Sequence, residues 1–235
     1  MTQAYTGVEV LARWHRPNGE ISAPAVFIEA VEELGLLDLM MENMLRRAFA
    51  EAAPVVAAGA LATVSINVSP GQFNRGWASG HLPELLRQTG FPAGALTLEI
   101  TETALLNDIP RAKTTLTALT SAGIRIALDD FGVGYSNFSL LRQLPVDVLK
   151  LDRSLVCDIE FDDHALALAQ CLLDLSARLA IKVVAEGIET KRQAEILLDA
   201  GCTAMQGYWF ARPQRQLSTW FGQGALPPPF GRALR

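Results

Sequence analysis

Ile126-Ala127-Leu128-Asp129-Asp130-Phe131-Gly132-Val133-Gly134-Tyr135 carries a short apolar run straight into two adjacent carboxylates and then into a glycine-rich turn. Ile, Ala and Leu in succession suit a strand covered on both faces, so the Asp pair is expected where that strand leaves the core. Neighbouring strand side chains point to opposite faces, yet at a frayed strand end both carboxylates can turn toward one site. Held that close they repel each other, and a cation is needed to keep both ionised. A divalent metal ion, or a pair of them, is the expected partner. A plain turn is the competing reading, because Asp and Gly favour turns for local reasons.

The same theme recurs on either side of this stretch. Gly7 to Trp14 alternates, which predicts a strand with Glu9, Leu11 and Arg13 on one face. Pro24 to Leu37 and Asp38 to Ala58 read as helices, with Gly59 as the stop. Val64 to Ser69 reads as a β-branched strand interrupted by Asn67 and closed by Pro70. A buried Asn there must be hydrogen-bonded or ligate a metal. A loop and helix over Gly76 to Thr89 come next, and Leu96 to Glu102 is then an apolar strand ending in Glu99 and Glu102. Helices are expected over Ile109 to Ala122, Phe138 to Gln143, His164 to Ala180 and Lys191 to Asp199. The strands between them are Val146 to Asp152, with Lys150 in its apolar middle, Lys182 to Glu186, followed by a turn to Glu189, and Ala204 to Phe210, with Gln206 inside. A lysine in an apolar strand is costly unless carboxylates surround it.

Strand and helix therefore alternate seven times, the signature of parallel crossovers, and every strand carries a polar or ionisable residue at or near its end. In a barrel of parallel strands those ends converge on one mouth, where active sites are built. Seven such residues are hard to explain as packing, because unpaired buried charge is costly.

Composition sets the outer limits. At 235 residues, 50% hydrophobic and 19% charged, the chain can bury one large core. A net charge of -5 argues against binding DNA or RNA polymers, whose partners present basic surfaces. It leaves room for a small anionic ligand held by local cations. Cys157, Cys171 and Cys202 lack metal-type spacing and read as small apolar fillers in a reducing compartment. No stretch approaches the roughly 18 apolar residues of a membrane span. No signal peptide is recognisable either, so a cytoplasmic domain is expected, or the cytoplasmic part of a membrane-anchored protein.

Taken together, these motifs resemble the EAL-type cyclic di-GMP phosphodiesterase domains, from Gly7 to Pro213. The family's name motif reads here Glu9-Val10-Leu11, with Val in place of Ala, and continues to Arg13-Trp14. Asn67 in INVS, Glu99 and Glu102 in EITE, and Asp129-Asp130-Phe131-Gly132 with Gly134-Tyr135-Ser136 also match. Lys150-Leu151-Asp152, Ala185-Glu186-Gly187-Ile188-Glu189 and Gln206-Gly207-Tyr208 complete the set.

The resemblance implies an α/β fold, a (β/α)8 TIM-like barrel, that hydrolyses one bond of cyclic di-GMP to linear pGpG. It implies two Mg2+ or Mn2+ ions, one held by Glu9, Asn67, Glu99 and Asp129, the other by Asp129, Asp130 and Glu186. All-oxygen donors suit such hard ions, and a metal pair can clamp the attacking and leaving oxygens of an in-line displacement. Lys150 and Glu186 are the implied catalytic groups, and Glu189 and Gln206 orient ligands and water. Arg13 takes a substrate phosphate oxygen in its planar fork, with Leu11, Asp152 and Pro213 at the substrate. Phe131, Gly132, Gly134, Tyr135 and Ser136 resemble the loop linking the site to the family's dimer contact, and Glu102 resembles its anchor. For Glu102, a helix N-terminal charge is the competing reading.

One departure stands out. The family opens with a further antiparallel strand containing Gln-Pro, whereas only Met1 to Thr6 precede Gly7. That strand is expected to be missing or incomplete, and residues 1–235 to form one domain of a longer signalling protein. The expected partners are cyclic di-GMP, a second copy of the chain, and an upstream sensor or diguanylate-cyclase-like domain. A sensor module that binds cyclic di-GMP without cleaving it is the alternative function. An unrelated barrel enzyme acting on a phosphorylated metabolite is the third.

Overall fold

The computed structural model describes residues 5–132 and 138–218. The chain opens with β1 (Gly7–Val10), a small hairpin of β2 (Trp14–His15) and β3 (Ile21–Ser22), and the helices α1 (Ile28–Glu33) and α2 (Leu37–Ala57). Next come β4 (Thr63–Asn67), α3 (Pro70–Arg75), α4 (Trp77–Thr89), β5 (Leu96–Thr101), α5 (Glu102–Leu106) and α6 (Ile109–Ser121). Then follow β6 (Arg125–Phe131), α7 (Ser139–Gln143), β7 (Val148–Leu151), α8 (Asp163–Arg178), β8 (Lys182–Ala185), α9 (Lys191–Asp199) and β9 (Ala204–Met205).

Seven strands pair in the order β1-β4-β5-β6-β7-β8-β9, so neighbours in the sheet are successive in the chain apart from the hairpin. The ladders β1–β4, β6–β7, β7–β8 and β8–β9 are all parallel. Parallel neighbours need crossovers, and the apolar helices supply them. The expected α/β class therefore holds. The sheet's strands alternate with helices as the periodicity predicts.

The chain groups into two compact units. The first comprises Met1–Asn67, Gln72–Thr97 and Gln214–Arg235, and the second Val68–Gly71 and Leu98–Pro213. In the first unit, α2 turns Leu37, Met41, Leu45, Phe49 and Ala52 inward, a spacing that stacks side chains on one helix face. Phe49 lies parallel to Phe91, ring centroids 4.4 Å apart, and is 1% exposed. In the second unit, α6 buries Ala112, Leu116 and Leu119, and α8 buries Ala169, Leu172, Leu173 and Ser176. Helix α9 opens on a capping box in which Thr190 and Gln193 satisfy each other's backbone N–H groups.

Several sequence expectations need correction. The strand read over Gly7 to Trp14 stops at Val10, because its ladder with β4 runs only from Gly7↔Thr63 to Val10↔Ile66. Leu11 and Arg13 thus lie beyond β1, and Trp14 belongs to the hairpin. Pro70 does not merely close a strand; it begins α3, where its missing N–H costs nothing. Strand β9 is only Ala204–Met205, since the chain turns at once through Gly207. Cys202 is buried as a filler should be, but Cys157 is half-buried and Cys171 is exposed on α8. The expectation of an absent leading strand falls on residues 1–6, of which 1–4 lie outside the described residues.

Two stability outcomes follow from this packing. Phe49→Ala should lower the unfolding free energy by about 3–5 kcal/mol, read from the urea midpoint, because it empties a ring-sized space beside Phe91. At Gly207 an added Cβ would collide with the Ile188 backbone, so Gly207→Ala should cost about 1–3 kcal/mol in the same titration. An unchanged midpoint would contradict either assignment.

Candidate functional site

The centre of the second unit is an ammonium among carboxylates. Lys150, the third residue of β7, is 3% exposed. Its Nζ lies 2.6 Å from Glu99 Oε2, 3.1 Å from Asp129 Oδ1 and 2.8 Å from Glu186 Oε1. Glu99 comes from β5, where it is 3% exposed between Leu98 and Ile100. Asp129 comes from β6 and is 8% exposed, and Glu186 follows the end of β8. A buried lysine is tolerable only with such partners, and buried carboxylates only with such a cation. Four strand segments are thereby held to one point.

A β-bulge explains how adjacent aspartates are accommodated. Leu128 pairs with Leu149 and Phe131 pairs with Leu151, so Asp129 and Asp130 together stand opposite Lys150 alone. The extra residue breaks the strict alternation that would send the two side chains to opposite faces. Asp130 takes a left-handed backbone, φ 54°, which Asp tolerates better than most residues, and its side chain is exposed. Asp129 Oδ1, although 3.1 Å from the ammonium, has no hydrogen bond in acceptable geometry. It is a buried oxygen with coordination capacity in reserve.

The turn after β8 is fitted tightly beneath Glu186. The Glu186 N–H donates to the Leu151 carbonyl at 3.0 Å. Gly187 has φ 67° and lies so close to the Arg153 stem that a Cβ would strike it. Arg153, which the sequence reading did not single out, pairs with exposed Glu189, Nη2 to Oε1 3.0 Å. Its position directly after the Lys150-Leu151-Asp152 strand was the available signal. Exposed Gln206 is fixed through its backbone, donating to Ala185 at 2.8 Å and accepting from Ile188 at 3.0 Å. Asp152 caps the turn Arg153–Leu155 by accepting the Ser154 N–H at 2.8 Å. Burial works to raise the Asp152 carboxyl, but the Ser154 and Arg153 hydrogen bonds outweigh it and leave the group below the usual carboxylate range.

Other expected site residues are placed as follows. Glu102 opens α5 and is buried, so it is both a helix-first-turn charge and an inward-facing one. Phe131 is fully buried and meets Phe138 edge-on at 5.6 Å, and Gly132, φ 106°, is packed against Leu155. Gly134, Tyr135 and Ser136 lie outside the described residues. Pro213 is exposed. In the first unit, Asn67 is exposed rather than buried as expected, because it is the last residue of β4, and its amide donates to Glu9 Oε1 at 2.6 Å, joining β4 to β1. Leu11 and Arg13 are exposed there, with Arg13 Nη1 turned back to the Ala12 carbonyl at 2.7 Å.

Chemically, the donor set is hard oxygen throughout, which suits Mg2+ or Mn2+ rather than zinc. Among the described residues, no three or more His, Cys, Asp or Glu side chains are grouped around a point that a metal ion could take. The carboxylates of the second unit close on the Lys150 ammonium instead. Also among the described residues, no helix is long and apolar enough to cross a membrane.

The chain is similar to several known proteins. A protein of Mycobacterium tuberculosis, named only as uncharacterized, is 38% identical over 209 residues, covering 88% of this chain and 34% of its own length. The cyclic di-GMP phosphodiesterase NbdA of Pseudomonas aeruginosa is 36% identical over 207 residues, 88% of this chain and 26% of that protein. The chain thus spans about a quarter to a third of these curated relatives. Among solved structures, the PaMucR phosphodiesterase in its c-di-GMP complex superposes with a TM-score of 0.84 at 30% identity, over 91% of this chain and 86% of that one. The EAL domain model matches residues 1–213. With its fold and a family match over most of its length, the chain belongs to the EAL domain family.

Proposed function

We propose that this chain hydrolyses one phosphodiester bond of cyclic di-GMP to give linear pGpG, as a single domain within a longer, dimeric signalling protein. The observation that carries the reading is the buried lysine surrounded by Glu99, Asp129 and Glu186 at strand ends. Family membership and the similarity to the phosphodiesterases NbdA and PaMucR support it. Charge this concentrated marks chemistry more often than packing.

Glu9, Asn67, Glu99, Asp129, Asp130 and Glu186 are the proposed oxygen donors to divalent cations, two per site. The spare oxygen of Asp129 and the all-oxygen donor set fit hard ions. Bound there, the ions would neutralise phosphate charge and make water a stronger acid. The protein's own groups do the rest. Lys150 donates to the charge that develops on the phosphate as the bond breaks. Glu186 is within reach of a proton released by the attacking water. Arg13 turns its fork to a phosphate oxygen and leaves the Ala12 carbonyl, with Leu11, Asp152 and Pro213 completing the substrate contacts. Glu189, held by Arg153, and Gln206, held by its backbone, orient the groups above them. The loop from Phe131 through Gly132, Gly134, Tyr135 and Ser136, anchored by Glu102, couples this site to a second copy. Localisation in the cytoplasm is part of the same reading.

A specific observation favours the sensor alternative: the carboxylates close on an ammonium, and no ready-made group of metal ligands stands beside it among the described residues. Incubating the protein with cyclic di-GMP and Mg2+ or Mn2+ separates the two. Formation of pGpG is expected; tight binding with no product in either ion would make it a sensor. Glu9→Ala or Asp129→Ala should reduce turnover by about a hundredfold or more, since even residues behind the ligands cost 10–100-fold. Turnover that survives either change would sink the ligand assignment. Lys150→Ala should lower kcat while leaving KM within about twofold, and a pure KM effect would mean its role is substrate binding.

A further inference from the structure

We propose that the Lys150 ammonium is a built-in competitor for the divalent cation: it neutralises the carboxylate pocket before metal arrives and must be displaced from at least part of it when metal binds. The inference rests on the cation reading above and concerns what happens before any chemistry.

Three observations carry it. Lys150 Nζ is within 2.6–3.1 Å of carboxylate oxygens from Glu99, Asp129 and Glu186, all of them proposed ligands. The Lys150 side chain is only 4% exposed, so bulk water screens the carboxylates little and the ammonium is what balances their charge. Glu99, Asp129 and Glu186 belong to the proposed ligand set and all three contact the ammonium, so the ammonium and an incoming ion would draw on the same carboxylates. Asp129 Oδ1 is the point of entry, because it faces the ammonium without a formed hydrogen bond.

Competition of this kind has a definite thermodynamic form. The form of the pocket ready for metal is only a fraction of the population, and the apparent affinity is reduced by that fraction. Removing the ammonium abolishes that reduction. It also leaves three carboxylates facing one another in the metal-free protein, which weakens it. The two effects must appear together, in opposite directions. A lysine that only touches substrate would produce neither, and one that helps to recruit metal would lower affinity when removed.

The test is Mn2+ binding followed by electron paramagnetic resonance of the free ion, without substrate, on the wild type, Lys150→Met and Lys150→Met/Asp129→Asn. Lys150→Met should bind Mn2+ about tenfold more tightly than wild type, and the added Asp129→Asn should remove that gain. In EDTA the Lys150→Met protein should melt below wild type, and saturating Mn2+ should raise its Tm by more than it raises the wild type's. Equal or weaker Mn2+ binding by Lys150→Met overturns the competition and leaves the cation reading intact. No Mn2+ binding by wild type or variant overturns both.

Should Lys150→Met fail to fold without metal, the wild type alone decides. Lys113, Lys182 and Lys191 are exposed and serve as internal references for Lys150. Acetylation of Lys150 relative to these, read by mass spectrometry, should rise when Mn2+ is added. Identical protection with and without Mn2+ overturns the proposal.

Discussion

The Lys150 ammonium ties together carboxylates from three other segments of the second unit. Its three partners come from β5, β6 and the end of β8, and none of them neighbours it in the chain. Each carboxylate alone would be an uncompensated buried charge, and so would the lysine. Their mutual attraction in a poorly screened interior binds the strand ends together and orients every side chain in the cluster. Such a cluster offers little stability over a well-packed apolar one. Its presence at the ends of parallel strands points to use.

Backbone irregularities put the charges where they meet. The bulge in β6 places both aspartates opposite one lysine, and the left-handed Asp130 lets the strand recover its register at Phe131. Gly187 and Gly207 allow the segments after β8 and β9 to pass close to Arg153 and to Ile188. Through those close approaches Glu186, Glu189 and Gln206 are set on fixed backbone, which is how a site keeps its geometry within tenths of an ångström. Regular strands alone would have scattered these residues over two faces.

Family membership and local geometry contribute different things to the functional reading. The match over residues 1–213 says which scaffold this is, and phosphodiesterase activity belongs by name to the similar proteins NbdA and PaMucR. Folds host many functions, so the reading for this chain has to rest on its own groups. In the second unit those groups are three carboxylates closed on the buried Lys150 ammonium. A basic surface for a nucleic-acid polymer is not what a chain of net charge -5 offers.

Much of this was legible before folding. Apolar runs interrupted by Asn67, Glu99, Asp129, Lys150 and Glu186 announced strands whose polar residues needed one another, because no isolated charge survives between leucines and isoleucines. The alternation of strands and helices announced parallel pairing, and one-dimensional periodicity carries that information fully. Other features depended on contacts between distant segments. Periodicity could not see that β1 ends at Val10, since that limit lies in the length of the shared ladder with β4, nor that Pro70 begins a helix. The bulge that sets Asp129 and Asp130 opposite Lys150 exists only relative to β7. Composition and pattern thus settled which residues must be buried and charged, whereas the register between strands chose their partners, because ion pairing acts through space and is blind to order along the chain.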